Sequence, residues 1–505
     1  MKHRKIILII LDGWGLGKKT DINPVWKART PKLDYLFSHY PHSKLKASGL
    51  AVGLPNKVMG NSEVGHLNLG AGRVIIQDLV KINKACENSE LENNKYFKQA
   101  LKKARAKNRK LHFIGLVSDA GVHSHVKHLN KMCELARKEG VNNIFIHAIS
   151  DGRDTDPKSG YKYIKDLEKN IEKSKAQIAS VIGRYFAMDR DNHWERVKKA
   201  YDLFVFGKGE KSQNIKESIK KSYEKGITDE FIKPIVRINE SGDPIGLIKN
   251  DDVVVCFNFR TERLREITIA LSQKNFLKYK MKKLSLNYFT LTKYDDFEGV
   301  QEIFSKDNIL NTLGEVISKN NLKQLRLAET EKFAHVTYFF SGGRNKLFKG
   351  EERILINSPR IATYDLKPEM SALKITKSAQ KAIKSRKFNF ICINFANCDM
   401  VGHTGVFNSI LKAVETVDTC VGEIYDFAKE NDYEIIVTAD HGNAEVAVNK
   451  DGSQNTAHSL NSVPCLLVSD RFKRIKSGKL ADIAPTILKM ADIKKPKEMT
   501  GSSLV

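Results

Sequence analysis

Short apolar segments that end abruptly at a polar residue constrain the fold of this chain more than any other feature. The three clearest are 6–11 before Asp12, 388–395 before Asn397 and Asp399, and 434–438 before Asp440. Unbroken apolar runs of this length, separated by stretches of helical periodicity such as 409–429, are typical of buried parallel strands covered by helices. Because the carboxyl ends of such strands carry the chemistry, we predict an α/β fold with a doubly wound sheet.

The same pattern recurs in the middle of the chain. Segments 110–117, 143–149, 178–182 and 252–259 are followed by Ser118, Asp151, Arg184 and Arg260. The outer segments supply Asp, His and Ser at the predicted strand ends, whereas the middle segments supply mostly Arg. This difference predicts a second α/β unit inserted into the first. We expect one discontinuous domain over 1–75 and 308–505 and an inserted domain over 76–307.

The charge balance indicates an anionic partner without identifying it. The chain has 85 Lys and Arg against 59 Asp and Glu, a formal net charge of +26. Nucleic acid, an anionic membrane surface and a phosphorylated substrate would all be attracted to such a protein. The Lys-rich stretches 101–110 and 273–283 have the spacing of solvated helix faces, which accounts for much of the excess.

The cysteines and the N-terminal segment indicate in which cellular compartment the protein resides. The seven cysteines are scattered and form no Cys-x-x-Cys pair, which argues against a disulfide framework and against a thiolate zinc site. The apolar segment 6–11 is too short for a membrane span and lacks the cleavage site of a signal peptide. We therefore expect a cytoplasmic protein.

Carboxylates and imidazoles gather after the outer strands in a pattern typical of a metal centre. The candidate ligands are Asp12, Asp399, His403, Asp440, His441 and His458. Oxygen and nitrogen ligands without thiolate suit Mn²⁺, Co²⁺ or Zn²⁺, and the histidines make Mg²⁺ less favoured. Six such ligands at strand ends can hold two divalent metal ions.

A candidate nucleophile lies in the Gly-rich segment 60–66. Ser62 is flanked by glycines, and a hydroxyl is a poor nucleophile unless a base or a metal lowers its pKa. If Ser62 opens a helix, the backbone N–H groups that follow would face an incoming phosphate. Lys332, in Ala-Glu-Thr-Glu-Lys at 328–332, is a cation that could neutralise a transferring phosphoryl group.

The middle unit carries a second constellation, which is rich in arginine. Its members are His123, Arg153, Asp154, Arg184, Arg190, Arg260 and Arg263. Forked guanidinium groups bind carboxylates and phosphates through two parallel hydrogen bonds. Five arginines after apolar runs or in Gly-flanked turns therefore predict a small substrate with several negative charges.

Taken together, the motifs resemble those of the cofactor-independent phosphoglycerate mutases from residue 6 to the C-terminus. The matching segments are 59–66, 151–155, 187–192, 328–332, 394–397, 399–405, 438–445 and 499–501. The resemblance implies an alkaline-phosphatase-like outer domain and an inserted phosphotransferase domain. It further implies interconversion of 3-phosphoglycerate and 2-phosphoglycerate in glycolysis and gluconeogenesis, without added 2,3-bisphosphoglycerate.

The resemblance also implies a role for each candidate residue. Asp12, Ser62, Asp440 and His441 would bind one metal, and Asp399, His403 and His458 the other, with Mn²⁺ expected. Ser62 would become phosphoserine. The residues that would bind phosphoglycerate are His123, Arg153, Asp154, Arg184, Arg190, Arg260, Arg263 and Lys332, with Asp154 and Lys332 also taking part in catalysis.

Two alternatives remain open at this point. Another metalloenzyme of the alkaline phosphatase superfamily, such as a phosphatase or a phosphopentomutase, would share the outer ligands but not the arginine-rich middle domain. A nonspecific nucleic-acid-binding protein would explain the net charge of +26 but leave the Asp, His and Ser set unexplained. We expect a monomer with a small-molecule substrate and neither a specific nucleic-acid partner nor a membrane partner.

Overall fold

The computed structural model describes residues 4–305, 308–449 and 451–505. The β-strands are β1 Lys5–Leu11, β2 His42–Lys46, β3 Leu111–Leu116, β4 Ile144–Ser150, β5 Gln177–Gly183, β6 Glu210–Ser212, β7 Ile235–Arg237, β8 Val253–Cys256, β9 Asn287–Thr290, β10 Val300–Glu302, β11 Gln324–Glu329, β12 Glu351–Ile356, β13 Phe390–Phe395, β14 Tyr433–Thr438, β15 Val463–Val468 and β16 Gly478–Lys479.

Helices separate most of these strands. They are α1 Pro24–Lys27, α2 Pro31–His39, α3 Ser62–Ala71, α4 Asp78–Glu87, α5 Glu90–Asn93, α6 Lys95–Arg105, α7 Val126–Lys138, α8 Gly160–Ile171, α9 Arg184–Ala187, α10 Trp194–Phe206, α11 Ile215–Glu224, α12 Arg265–Thr268, α13 Leu313–Lys319, α14 Thr330–Ala334, α15 Ala372–Lys384, α16 Asn397–Gly402, α17 Phe407–Glu430 and α18 Ile483–Met490. Of these described helices, none combines the length and apolarity needed to cross a membrane.

The chain divides into two compact units. The first comprises Met1–Gln77 and Asn308–Val505, and the second comprises Asp78–Asp307. We call them the outer unit and the middle unit.

The outer unit is built on an eight-stranded sheet in the order β12-β11-β13-β1-β14-β15-β2-β16. Strands β12, β11, β13, β1 and β14 run parallel to one another, whereas β15 is antiparallel to both β14 and β2. The residues of β1 from Ile6 to Leu11 are at most 2% exposed, as expected of a strand in the middle of a sheet. The parallel strands therefore bring their carboxyl ends to a common edge.

The middle unit has a second eight-stranded sheet, ordered β10-β9-β8-β3-β4-β5-β7-β6. The strands from β10 to β5 run parallel, and β7 is antiparallel to β5. Apolar side chains on the two faces of this sheet form two separate clusters, one of which includes Phe113 and the other Ile114. This alternation along β3 is the period-two pattern of a strand buried on both faces.

The predicted α/β class is confirmed, with one correction to the predicted elements. Both sheets are mixed, because β15 runs antiparallel to β14 and β2, and β7 runs antiparallel to β5. The Lys-rich stretch 273–283 does not form the expected α-helical face and contains only a short 3₁₀ turn, Leu277–Tyr279. Phe276 and Met281 pair across a tight turn closed by Lys280, whose φ is 53°, and this turn buries Met281 completely. The positive charges there belong to a loop.

Candidate active site

The carboxyl edge of the outer sheet gathers charged side chains from four adjacent parallel strands. Asp12 follows β1, Asp440 lies two residues after β14, Asp399 lies in α16 after β13, and Lys332 lies in α14 after β11. All four residues are at most 3% exposed. Burial of three carboxylates in one place is unfavourable unless cations compensate them.

Ser62 is the first residue of α3 and points into this cluster. The side chain of Asn61 caps the helix by accepting a hydrogen bond from the backbone N–H of Val64 at 2.9 Å. The Ser62 hydroxyl oxygen lies 3.2 Å from Oδ1 of Asp12 and 3.0 Å from Nε2 of His441. The nucleophile predicted from the sequence therefore lies among the predicted ligands, at the positive end of a helix.

Lys332 is the cation at the centre of the carboxylates. Its Nζ lies 2.7 Å from Oδ1 of Asp12, 2.5 Å from Oδ2 of Asp399 and 2.6 Å from Oγ of Ser62. Burial by itself would raise the pKa values of Asp12 and Asp399, but the positive charge of Lys332 holds both well below their usual range. Both groups are therefore carboxylates, and the cluster is one in which cations are favourable.

His403 and His458 face each other across Asp399 with their Nε2 atoms. Nδ1 of His403 donates to the carbonyl oxygen of Thr456 and Nδ1 of His458 to that of Gly60, each at 2.8 Å. In the neutral rings, Nε2 then carries a lone pair. The two Nε2 atoms are 3.2 Å apart and lie 3.3 and 3.1 Å from Oδ1 of Asp399. The hydrogen bond to Asp399 raises the pKa of His403, so either a proton or a metal ion between these three atoms relieves their repulsion. Imidazole nitrogen and carboxylate oxygen are donors that fit a divalent metal ion.

His441 lies between the two expected ligand sets. Its Nε2 is 3.5 Å from Asp12, 3.6 Å from Asp440 and 3.8 Å from Asp399. Burial opposes protonation, but the three carboxylates raise the pKa of His441 to about 9. The outer unit contains two triads of side chains of metal-ligating type, and within each triad the ligand atoms lie within 4.8 Å of one another. One triad is Asp399, His441 and His458, and the other is Asp12, His66 and Asp440. These are the two candidate metal sites of the outer unit.

His66 was not among the residues predicted from the sequence. Its Nδ1 lies 2.9 Å from the carbonyl oxygen of Ser62 and 3.1 Å from Oδ2 of Asp440, and its Nε2 lies 3.0 Å from Nδ2 of Asn394. The same Asn394 amide donates to Oδ2 of Asp12 at 2.8 Å. The available signal was spacing, because residues four apart on a helix share a face.

The middle unit has its own buried cluster, centred on Arg184 at the start of α9. Nη1 of Arg184 lies 2.6 Å from both Asp151 and Asp154, and Nη2 lies 3.1 Å from Nε2 of His123. Burial, followed by the Arg184 charge, lowers the pKa of His123 to about 4, so the ring is neutral and Nδ1 carries the hydrogen. Among the described residues, Nδ1 has no hydrogen-bond partner. Asp151, which orients both Arg184 and the turn before Asp154, was missed by the sequence prediction.

The remaining predicted arginines of the middle unit surround this cluster more loosely. Burial lowers the pKa of Arg263, and the positive charges of Arg184, Arg190 and Arg153 lower it further. Arg153 and Arg260 are about half exposed and pair with Glu230 and Glu262 at 3.3 and 3.1 Å. The guanidinium groups thus lie close enough to repel one another, an arrangement that a multiply charged anion would relieve.

The middle unit also contains a third group of metal-type side chains, Asp189, Asp191 and His193. Asp189 already accepts hydrogen bonds from the backbone N–H groups of Asp191 and His193, and its Oδ2 pairs with Arg196 at 3.2 Å. The carboxylate therefore stabilises the turn next to Arg190 and needs no metal to be satisfied.

Comparison with known proteins relates the whole chain to the family that its motifs resemble. The metalloenzyme superfamily model matches residues 4–495. The 2,3-bisphosphoglycerate-independent phosphoglycerate mutase of Bacteroides thetaiotaomicron is 51% identical over 505 residues, covering 99% of both chains. That of Flavobacterium psychrophilum is 52% identical over 504 residues, covering 100% of both. A crystal structure of Leishmania mexicana phosphoglycerate mutase at low cobalt concentration is 31% identical, with a TM-score of 0.68, and covers 99% of this chain and 98% of that one.

The chain shares about half of its residues with these relatives over the full length. The motifs at both strand-end clusters agree with this close relationship. The predicted family is confirmed, and with it the prediction of an enzyme that belongs to a metalloenzyme superfamily and carries two candidate metal sites. The chain belongs to the family of 2,3-bisphosphoglycerate-independent phosphoglycerate mutases.

Proposed function

We propose that the chain interconverts 3-phosphoglycerate and 2-phosphoglycerate by passing the phosphoryl group through Ser62. The observation that carries this proposal is the position of the Ser62 hydroxyl. It lies at the N-terminus of α3, 2.6 Å from the Lys332 ammonium group and 3.0 Å from Nε2 of His441. A buried hydroxyl held by a cation and a ring nitrogen suits nucleophilic attack on phosphorus.

Two divalent metal ions complete the site in this proposal. Asp12, Ser62, Asp440 and His441 would hold one ion, and Asp399, His403 and His458 the other. We assign His441 to the first set because its Nε2 lies closer to Asp12 and Asp440 than to Asp399, and we assign His66 to neither because its Nδ1 contacts the carbonyl oxygen of Ser62. When bound, these ions lower the pKa of a coordinated hydroxyl and offset negative charge on phosphoryl oxygens. The absence of thiolate among the proposed ligands supports Mn²⁺ or Co²⁺ over metals that prefer sulfur, and the related Leishmania structure was determined in the presence of cobalt. We propose Mn²⁺ as the ion used.

The outer unit then provides what phosphoryl transfer needs at Ser62. Oδ1 of Asp12, which accepts the hydrogen bond of the Ser62 hydroxyl at 3.2 Å, would take the serine proton as Oγ bonds to phosphorus. The bond from phosphorus to the glycerate oxygen breaks, and that oxygen takes its proton from Asp154. Lys332, with its Nζ 2.6 Å from Oγ, offsets charge on the transferring group. The backbone N–H groups in the first turn of α3 favour the phosphate of the resulting phosphoserine. Attack by the other glycerate hydroxyl restores Ser62, so no separate phosphoryl donor is consumed.

The middle unit would bind the phosphoglycerate anion. The proposed residues are His123, Arg153, Asp154, Arg184, Arg190, Arg260 and Arg263. Arg184 holds Asp154 at 2.6 Å, and the Asp154 side chain remains 20% exposed, so it can reach a ligand hydroxyl. We assign Asp154 the task of taking and returning the glycerate proton, with Arg184 fixing its orientation.

An enolase-coupled assay of the full chain tests this proposal directly. We expect activity with 3-phosphoglycerate and Mn²⁺ in the absence of 2,3-bisphosphoglycerate, and loss of activity on chelation. Ser62→Ala should be inactive because no hydroxyl remains to carry the phosphoryl group. Mass spectrometry of wild-type protein quenched during turnover should find phosphate on the peptide that contains Ser62.

Ser318→Ala is the matched control, because the Ser318 hydroxyl donates to the carbonyl oxygen of Lys349, within the outer unit but away from the ligands. It should keep wild-type activity. Strict dependence on added 2,3-bisphosphoglycerate, or full activity of Ser62→Ala, would show that Ser62 is not the phosphoryl carrier.

A further inference from the structure

A buried carboxylate next to the candidate metal sites has no part in the mechanism described above. Glu445 lies five residues after Asp440 and is 3% exposed. Its Oε2 accepts hydrogen bonds from the backbone N–H groups of Gly15 at 3.1 Å and Asn443 at 2.8 Å. Its Oε1 accepts from the hydroxyl of Ser459 and from the side-chain amide of Asn461 at 2.9 Å. Each carboxylate oxygen therefore has two donors.

The four donors lie on three short segments, and each segment adjoins a proposed metal ligand. Gly15 lies three residues after Asp12, Asn443 follows Asp440 and His441, and Ser459 follows His458. Glu445 thus ties the loop after β1 to both ends of the single connection between β14 and β15. A shift of its side chain would be transmitted to ligands on all three segments.

Asp399, on a fourth segment, is connected to Glu445 through Asn443. The backbone N–H of Asn443 binds Glu445, while its Nδ2 donates to Oδ1 of Asp399 at 2.9 Å. Oδ1 is also the carboxylate atom that faces Nε2 of His403 and of His458, at 3.3 and 3.1 Å. The network therefore orients the carboxylate at the point where the two histidines meet.

Three glycines leave the space that this carboxylate occupies. A Cβ atom on Gly15 would lie 2.2 Å from the Glu445 carboxylate, and one on Gly442 would lie 2.5 Å from Oε1. A Cβ atom on Gly17 would lie 3.0 Å from Cγ of Glu445. The backbone is thus shaped around the Glu445 side chain on two sides, as expected where a side chain must be held in one orientation.

We infer that Glu445 is a positioning residue that sets the spacing of the metal ligands. It does not face the space between the ligands itself, because both of its oxygens are occupied by donors from the surrounding loops. Partners of this kind typically change metal affinity by about 10–100-fold when they are lost. The inference rests on the proposed metal sites, and the experiment below separates the two.

The test is calorimetric titration of Mn²⁺ into the chelator-treated full chain. Glu445→Leu removes all four acceptor contacts at similar volume and should raise the Kd for Mn²⁺ about 10–100-fold. Glu445→Gln should show a smaller increase, because its oxygen can still accept from the two backbone N–H groups while Ser459 and Asn461 reorient. The kcat at saturating Mn²⁺ should change much less than the Mn²⁺ concentration needed for half-maximal activity.

Glu434 provides the matched control at the opposite end of β14. It accepts hydrogen bonds from Ser469 and Arg471 but contacts no proposed ligand segment. Glu434→Leu should lower the melting temperature without changing the Kd for Mn²⁺. If Glu445→Leu does not fold, Gly15→Ala replaces it, since its new methyl group displaces the carboxylate and should also raise the Kd.

The outcomes are distinct. Wild-type protein that binds no Mn²⁺ would overturn the proposed metal sites. Wild-type binding with a Kd that changes less than about threefold in folded Glu445 and Gly15 variants would overturn the positioning role alone, because the expected loss is at least tenfold. An equal increase in Glu434→Leu would reduce the effect to general destabilisation and would also overturn it.

Discussion

Lys332→Met tests the electrostatics of the outer site, because it removes a buried positive charge at nearly constant side-chain length. The Lys332 side chain is 4% exposed, and its Nζ pairs with Asp12 at 2.7 Å and Asp399 at 2.5 Å. His441, whose Nε2 is 3.5 Å from Asp12 and 3.8 Å from Asp399, is the cation that remains beside both carboxylates in the variant. In metal-free protein they would lose their closest compensating charge.

The magnitude follows from the burial of these groups. Removing one partner of a buried, hydrogen-bonded ion pair costs about 3–5 kcal/mol, because the other charge is left uncompensated. For a unit of more than 250 residues, 1 kcal/mol corresponds to about 2 °C in melting temperature, so the metal-free variant should melt roughly 6–10 °C lower. Divalent cations replace the missing charge, and saturating Mn²⁺ should therefore raise the melting temperature of the variant more than that of the wild type.

Differential scanning calorimetry of chelator-treated protein, followed by Mn²⁺ titration, measures both effects. Lys495→Met is the control, since the Lys495 ammonium group donates only to the carbonyl oxygens of Met499 and Gly501 in the contacts described for it. It should shift the melting temperature by a few degrees at most and leave the response to Mn²⁺ unchanged. A metal-free Lys332→Met protein as stable as the wild type would refute the reasoning, because the carboxylates would then not depend on this charge.

Two further measurements address the middle unit. Burial lowers the pKa values of His112 and His147, which lie 3.1 Å apart in the sheet, whereas in the unfolded chain both titrate near about 6.5. As the pH falls, the unfolded state therefore takes up protons before the folded state does. The stability that these two histidines contribute is fully present above about pH 6.5 and falls as the pH decreases below it. Thermal melts from pH 7.5 to 5 should show this loss of stability, a His147→Gln variant should show a smaller loss, and a melting temperature that does not change with pH would contradict the prediction. Arg184→Lys should raise the KM for phosphoglycerate and lower kcat/KM by roughly 10–100-fold, because the loss of one or more charge-assisted hydrogen bonds costs about 1.5–3 kcal/mol each. Arg237→Lys, which changes a surface pair with 3.6 Å separation, is its control in steady-state kinetics, and equal kinetics for the two variants would contradict the assignment.

The central strands could be predicted from the sequence because they are buried on both faces. An unbroken apolar run such as 6–11 fits a strand inside a parallel sheet, and β1 indeed covers Lys5–Leu11. Strand β2, His42–Lys46, is mostly exposed and polar, so its sequence carries no such pattern. Its place in the sheet is fixed by pairing with β15, which a local pattern does not show.

The site was predictable where chemistry identifies a residue and not where position does. Asp12 and Asp440 were predicted as ligands because a carboxylate at the end of a buried strand is unfavourable without a compensating partner. Glu445 was not predicted because the role we infer for it rests on contacts with Gly15 and Ser459, which lie 430 and 14 residues away in sequence. Residue type alone cannot distinguish such a glutamate from a solvated one, and the close approach of a glycine to its carboxylate becomes visible only in three dimensions.

The sorting of charge between the two units explains more than the net charge of +26 does. In the outer unit, Asp12, Asp399 and Asp440 are buried together, so that unit favours cations at its strand ends. In the middle unit, Arg184, Arg190 and Arg153 lower the pKa of Arg263 beyond the effect of burial, so that unit favours an anion. The total charge therefore says little about function, whereas the sign of charge at each set of strand ends favours cations in the outer unit and an anion in the middle unit.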